Sequence, residues 1–267
     1  MPQDILLIER TDHIETWTLN LPDQRNPISG VEMVDAIVGA AERVNADLDV
    51  RAVIITGAGP GFSSGGNVKD MADGVGLFGH SPVDQRAAYR DGIQRIPRAL
   101  MACEVPLIAA VNGAAVGAGC DLALMCDLRI ASTKAWFAES FVKLGIIPGD
   151  GGAYFLPRAV GAARAAEMAL TGDRVDAATA LAWGLVSYVV EPDELLGEAR
   201  ALAERIAVNP PHAVRLAKKL LLTARGQSLD TVLDMSAAYQ ALAHQTADHA
   251  AAVAAMVEQR PATYEGR

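Results

Sequence analysis

Two stretches of small residues are built to bring bare main chain against a ligand. They are Phe62-Ser63-Ser64-Gly65-Gly66-Asn67-Val68-Lys69-Asp70-Met71 and Val111-Asn112-Gly113-Ala114-Ala115-Val116-Gly117-Ala118-Gly119-Cys120-Asp121. Glycine permits close approach and turns closed to other residues. Each stretch follows a short apolar run rich in β-branched residues, Arg51 to Thr56 (RAVIIT) and Pro106 to Val111 (PLIAAV), the profile of a strand buried on both faces. Loops after parallel strands open at the ligand-binding edge of a sheet. If both loops reach one pocket, an N–H from each converges on one oxygen. That is an oxyanion hole, each donor being worth roughly 3 kcal/mol in the transition state. Without such convergence the same stretches are simply tight turns.

Two other chemistries fail on spacing. Gly57-Ala58-Gly59-Pro60-Gly61 follows a strand, but the third glycine of a dinucleotide fingerprint would fall on Phe62, and the same test on Gly117 and Gly119 lands on Leu122. Neither loop runs into the Gly-Lys-Ser/Thr of a phosphate-binding loop. Gly61-Phe62-Ser63-Ser64-Gly65 matches the nucleophile elbow, yet Gly65-Gly66 stands where its helix must begin. None of His80, His212, His244 and His249 sits in an evident loop after a strand behind an acidic partner, so the serines read as polar loop residues.

The elements that must position these loops alternate. Strands are expected over 4–10, 13–20, 51–56, 106–111, 128–131, 135–137 and 186–190. A helix over about 30–46 is expected, capped by Ser29 with Glu32 completing a capping box. Residues 82–102 read as helix kinked or broken at Pro97, and further helices are expected from Gly117-Ala118-Gly119 to about Met125, over 153–170 and over 176–182. After Pro192 the chain is helical and alanine-rich, with breaks at Asn209-Pro210-Pro211 and Gly226-Gln227. This order predicts an α/β core over 1–191 with mostly parallel strands, and a helical C-terminal region over 192–267.

Composition narrows the function. Of 267 residues, 51% are apolar and 21% charged, which excludes a disordered chain. A net charge of −9 argues against nucleic acid and against an anionic membrane as partner. Cys103, Cys120 and Cys126 offer neither a disulfide framework nor a zinc spacing, so no metal is expected and the cysteines read as reduced, in a cytoplasmic protein. The start MPQDILLIER does not read as a signal peptide, and no apolar stretch is long enough to span a membrane.

Several motifs together resemble the crotonase (enoyl-CoA hydratase/isomerase) superfamily. Asn112-Gly113 through Gly117-Ala118-Gly119-Cys120-Asp121-Leu122-Ala123 to Cys126-Asp127 is similar to its signature, and Phe62-Ser63-Ser64-Gly65-Gly66-Asn67 to its first oxyanion loop. Leu144 to Gly152 (LGIIPGDGG), Leu170-Thr171-Gly172, Ala182-Trp183-Gly184-Leu185-Val186 and the ending Arg260-Pro261 to Arg267 match later landmarks in order. The resemblance implies a spiral of ββα units and an α-helical C-terminal region that trimerises, giving a homotrimer or a dimer of trimers. It implies an acyl-CoA thioester substrate, with no other cofactor, and stabilisation of a thioester enolate by the N–H groups of Gly66 and Ala118. Ser64, Gly65, Gly66, Asn67, Val68, Gly117 and Ala118 would line the CoA and acyl site. Because the protein is acidic, the CoA phosphates need a local cation, and Arg25, in the loop before the first long helix, is the candidate.

The acid/base groups depart from the hydratase pattern. That pattern has Glu at the position of Asp121 and a second Glu where Phe141 stands. Glu139 lies two residues earlier, and Asp150 offers a carboxylate in Pro148-Gly149-Asp150-Gly151-Gly152. Asp121 and Asp150 are the candidate pair, with Glu139 as substitute. Their structural readings are a helix-dipole carboxylate, a helix cap and an exposed loop charge respectively. Enoyl-CoA hydratase in fatty acid metabolism is the leading activity. Enoyl-CoA isomerase, a C–C or thioester hydrolase, and a non-catalytic acyl-CoA-binding oligomer are the alternatives.

Overall fold

The computed structural model describes residues 4–79 and 81–267. The chain opens with an antiparallel pair, β1 (Leu6–Thr11) and β2 (Ile14–Leu19), then α1 (Val31–Ala46). Three turns of a spiral follow. The first is β3 (Ala52–Gly57) and β4 (Gly61–Ser63), then α2 (Val68–Asp73), α3 (Pro82–Asp91) and α4 (Arg95–Ala102). The second is β5 (Leu107–Val111), β6 (Ala114–Val116) and α5 (Ala118–Met125); the third is β7 (Leu128–Ser132), β8 (Trp136–Ala138), α6 (Gly152–Val160) and α7 (Ala162–Thr171). After β9 (Val175–Asp176), α8 (Ala177–Trp183) and β10 (Tyr188–Val190) come α9 (Leu195–Ala207), α10 (Pro211–Ala224), α11 (Leu229–His244) and α12 (Ala247–Val257).

Each turn gives one strand to a six-stranded sheet, β1-β2-β3-β5-β7-β10, and one to a four-stranded sheet, β4-β6-β8-β9. From β2 across to β10, each adjoining pair of the first sheet is parallel. The period-2 alternation of a strand explains why its central members are apolar throughout. Val53 and Ile55 join the main core beneath α1 and α4, while Ala52 and Ile54 meet Leu195, Ala199, Leu202 and Ala203 of α9 on the other face.

Side chains bind the corners of the spiral together. Asn112 Nδ2 donates to the carbonyls of Gly57 and Gly59, both at 3.0 Å, and Ser132 Oγ donates to Asn112 O at 2.9 Å, so all three turns are linked. Gly113 is required by space: a Cβ there would run into the Pro60 carbonyl.

The helical tail is fastened by buried cations. Arg215 donates to the carbonyls of Val44, Asn45, Asp47 and Val50, closing the C-terminal end of α1. Lys218 Nζ pairs with Asp127 Oδ2 at 2.7 Å and donates to Val105 O at 2.8 Å. Asp248 accepts from the amides of Glu265 and Gly266, both at 2.9 Å, which folds the chain end back onto α12.

Three local expectations are corrected. Ser29 does not cap α1, which starts after Gly30 with no side-chain cap; its hydroxyl accepts from Asn67 N instead. The break within 82–102 falls at Gly92 rather than Pro97, because proline in the first turn of α4 loses no intrahelical hydrogen bond. Both glycine-rich stretches contain a short strand, β4 and β6, rather than being loop throughout. His80 lies outside the described residues.

Candidate active site

The first oxyanion stretch is held rigid by its own hydrogen bonds. Ser64 N donates to Arg25 O at 2.8 Å, Gly65 N to Ser63 Oγ at 3.1 Å and Asn67 N to Ser29 Oγ at 3.1 Å. The Gly65 carbonyl accepts from Ile28 N at 2.8 Å. Among the described residues, Gly66 N has no acceptor, so the only unspent donor of residues 64–67 is the one at Gly66. In the second stretch Gly117 N donates to Ala138 O at 2.8 Å, and Asp121 N to Gly117 O at 3.0 Å. Ala118 N, at the first position of α5, has no acceptor among the described residues, as expected of the orphan amides that open a helix.

The segments that carry the two free donors pack against each other. Gly65, at φ +77°, lies so close to α5 that a Cβ there would sit 2.7 Å from Ala118 N and 3.0 Å from Gly119 N. Glycine is thus required at 65 both by backbone sign and by space. Gly117, at φ +53°, turns the chain into α5 with the Phe141 ring 3.5 Å from its Cβ direction.

Behind the donors lie three carboxylates. Asp121 and Glu139 are fully buried and Asp150 is 5% exposed. Among the described residues, both oxygens of Asp121 and Glu139, and Oδ1 of Asp150, are buried without a hydrogen-bond partner. Asp121 and Glu139 both close on the face of Gly152: a Cβ there would lie 2.9 Å from Glu139 Oε2, 3.1 Å from Asp121 Cγ, and in collision with Asp121 Oδ1. Burial, reinforced by the charges of Glu139 and Asp150, pushes the Asp121 carboxyl well above the ordinary range. Burial raises Glu139 to about 7 and Asp150 to about 6. The site therefore holds both protonated and ionised carboxyls near neutral pH, which is what a donor–acceptor set needs.

The exposed-loop reading of Glu139 is overturned, since the 138–141 segment carries it inward beside Asp121. Phe141, two residues on, is 8% exposed and fills the position of the missing second glutamate with an apolar ring. Sequence reasoning missed Gly152, whose bare α-carbon makes room for the carboxylates. It also missed Tyr89 on α3. That ring is 3.1 Å from a Cβ placed on Gly149, and its phenol is raised by burial and by the Asp150 charge. Gln94 Nε2 donates to Gly149 O at 2.8 Å, fastening the same loop.

A pocket of about 430 Å³ leads outward from Gly66, lined by Arg25, Ser64, Asn67, Val68, Lys69 and the Asp23-Gln24 turn. Arg25 and Asn26 both have positive φ, 64° and 54°, a conformation costing side-chain-bearing residues free energy. The Asn26 side chain holds it there, accepting from Leu21 N at 2.9 Å and donating to Ala58 O at 2.9 Å and Gly61 O at 3.0 Å. Arg25 is thereby presented to the pocket, together with Lys69, a second cation that the sequence did not single out.

Residues 9–267 match the family model described as enoyl-CoA hydratase/isomerase. The chain belongs to the enoyl-CoA hydratase/isomerase family. Within it, the chain is 37% identical over 267 residues to a probable enoyl-CoA hydratase of Mycobacterium bovis, covering all of both chains. It is 36% identical over 259 residues to a 1,2-epoxyphenylacetyl-CoA isomerase of Escherichia coli, covering 96% of this chain and 97% of the relative. A crystal structure of an enoyl-CoA hydratase from Bacillus anthracis superposes with a TM-score of 0.92 at 33% identity, covering 99% and 100% of the two chains. The mixed α/β fold of this family is the fold described above, and no helix among the described residues is long and apolar enough to cross a membrane.

Proposed function

We propose that this enoyl-CoA hydratase/isomerase family member polarises an acyl-CoA thioester between the amides of Gly66 and Ala118 and moves protons with Asp121 and Asp150, Glu139 sharing the acid/base role. The observation that carries the reading is the pair of unspent backbone donors on neighbouring segments beside three buried carboxyls, of which both oxygens of Asp121 and Glu139 and Oδ1 of Asp150 lack a partner among the described residues. The 430 Å³ pocket would take the CoA arm, with Arg25 and Lys69 against its phosphates. CoA arrives as part of the substrate, and the reading invokes no further cofactor.

In hydration, an ionised carboxylate accepts a proton as the water oxygen bonds to Cβ. The π electrons move into the thioester, whose oxygen gains charge between the two N–H groups. A protonated carboxyl then returns a proton to Cα. The donors act most strongly on the enolate-like state, so they accelerate the step rather than merely tightening binding. Double-bond isomerisation uses the same groups without water. It is favoured by the apolar Phe141 ring beside Gly117, which reduces the polar surface available to hold a water at Cβ.

The assay is ultraviolet: loss of crotonyl-CoA conjugation reports hydration, and gain of conjugation from a 3-enoyl-CoA reports isomerisation. Ala118→Pro removes one donor at a helix position that tolerates proline, and should lower turnover in either direction by about 10²–10³-fold with CoA binding retained. Full activity in this variant would place the enolate elsewhere. We further propose a homotrimer or dimer of trimers in the cytoplasm. The exposed Leu229, Leu233, Leu242, Val253, Met256 and Val257 of α11 and α12 support the assembly, and three free buried cysteines support the compartment.

A further inference from the structure

A second pocket, of about 310 Å³, lies at the opposite ends of the two helices that leave the active site. Helix α5 begins at Ala118 and reaches it with Leu124, and α6 begins at Gly152 and reaches it with Phe155, Arg158 and Ala159. At about 1.5 Å per residue, the far end of α5 is about 10 Å from its first amide. Three arginines line this pocket: Arg129 from β7, Arg158 from α6 and Arg225 from the end of α10.

Arg129 is fixed. Its Nε donates to Leu185 O at 2.6 Å and its Nη1 to Cys126 O at 2.7 Å, which leaves Nη2 without a protein acceptor among the described residues. Arg158 stacks on the Tyr154 ring, 3.7 Å from its centroid, and gives Nη1 to Tyr154 O. Arg225 makes no side-chain hydrogen bond or ion pair among the described residues, and its charge acts against that of Arg129. The one carboxylate in the lining, Asp127, is already neutralised by Lys218 at 2.7 Å and accepts from Leu107 N at 2.8 Å. A chain of net charge −9 therefore gathers three guanidiniums in one cavity whose single lining carboxylate, Asp127, is already shared with Lys218 and leaves the charges there in excess. Guanidinium forks match the paired oxygens of a phosphate, and Leu124, Phe155 and Ala159 supply an apolar wall beside them.

We propose that Arg129, Arg158 and Arg225 form a binding site for a small phosphate dianion, free or as a monoester, separate from the acyl-CoA pocket. The test is calorimetric titration of the full-length protein with inorganic phosphate and, separately, phenyl phosphate. It is run in an Arg25→Ala/Lys69→Ala background so that the CoA pocket does not contribute. We expect one equivalent per chain, weakened at least tenfold by adding Arg225→Ala or Arg158→Ala; both side chains are exposed, so neither change should unfold the protein. Tighter binding of phenyl phosphate would assign the monoester, and equal affinity free phosphate. The proposal is overturned by absence of saturable binding, by binding indifferent to both substitutions, or by an adventitious ion only, seen as a Kd above tens of millimolar. It is equally overturned if Arg225→Ala dissociates an oligomer while phosphate affinity stays unchanged, because the arginines would then serve a second copy of the chain.

Discussion

Replacing Asp150 by asparagine should make the protein more stable and nearly inactive, with the gain in stability depending on pH. Burial raises this carboxyl from 3.8 to about 6, so its neutral form is the one the fold prefers. The stability associated with that proton is fully present below about pH 3.8, is lost as pH rises through about 6, and stays lost above it. About two units at 1.36 kcal/mol each put the loss near 3 kcal/mol. Asp150→Asn removes a charge that has no partner at Oδ1. At pH 8 the variant should gain about 3 kcal/mol, read as a rise in Tm of roughly 6 °C or more. At pH 5 the gain should be about half as large, since the wild-type carboxyl is then mostly neutral in the fold and ionised in the unfolded chain. Turnover should fall by at least about 10²-fold with little change in KM, as for a group acting in the transition state. Thermal unfolding at the two pH values, with crotonyl-CoA kinetics alongside, checks both limbs. A variant less stable than wild type at pH 8, or a gain identical at pH 5 and pH 8, would refute the burial argument.

Gly152→Ala should abolish activity at constant fold, because the added methyl enters the space of the Asp121 and Glu139 carboxylates; circular dichroism and the same absorbance assay check it, and a loss under tenfold would mean that those groups can move aside freely. Arg25→Ala and Lys69→Ala should each raise KM for a CoA substrate and weaken its dependence on salt; unchanged KM in both would remove the CoA phosphates from that pocket. Lys218→Met should cost about 3–5 kcal/mol in urea denaturation, because Asp127 loses its cation and Val105 O its donor. Pairing it with Asp127→Asn should recover part of the loss, and an unaltered urea midpoint in the single variant would show that this ion pair does not fasten the tail.

The parallel strands were legible because burial on both faces writes a continuous apolar run, as in RAVIIT and PLIAAV. The short strands β4 and β6 were not, since three residues inside a glycine-rich stretch carry no periodicity of their own. Their existence depends on pairing with the neighbouring turn of the spiral, which is a tertiary fact. The helix cap at Ser29 failed for a related reason. A hydroxyl placed to satisfy a local amide was claimed by Asn67 N from 38 residues away, and in doing so it helps leave Gly66 N as the unspent donor.

The site divides along the same line. Its two donors have no side chains to recognise, so the chemistry of Gly66 and Ala118 entered through family resemblance and not through residue type. The carboxylates were visible as residues, yet their behaviour comes from what surrounds them. Asp121 opens a helix, where the dipole favours its ionised form, but full burial beside Glu139 and Asp150 outweighs that and pushes it upward. Glu139 looked like a surface charge because the two-residue offset that separates it from Phe141 has no meaning until the 138–141 segment is folded. Once folded, that offset puts an apolar ring beside the Gly117 turn and a carboxyl beside Asp121. Relative to the hydratase pattern, the carboxyl at 139 therefore stands against Gly152 at the start of α6 rather than beside the Gly117 turn. Asp150 stands in the loop that Gln94 fastens at Gly149 O and close enough to Tyr89 for its charge to raise the phenol; in the proposed mechanism it is the carboxyl that works with Asp121. In the proposed mechanism, which proton moves, and whether water follows it, depends on that displacement.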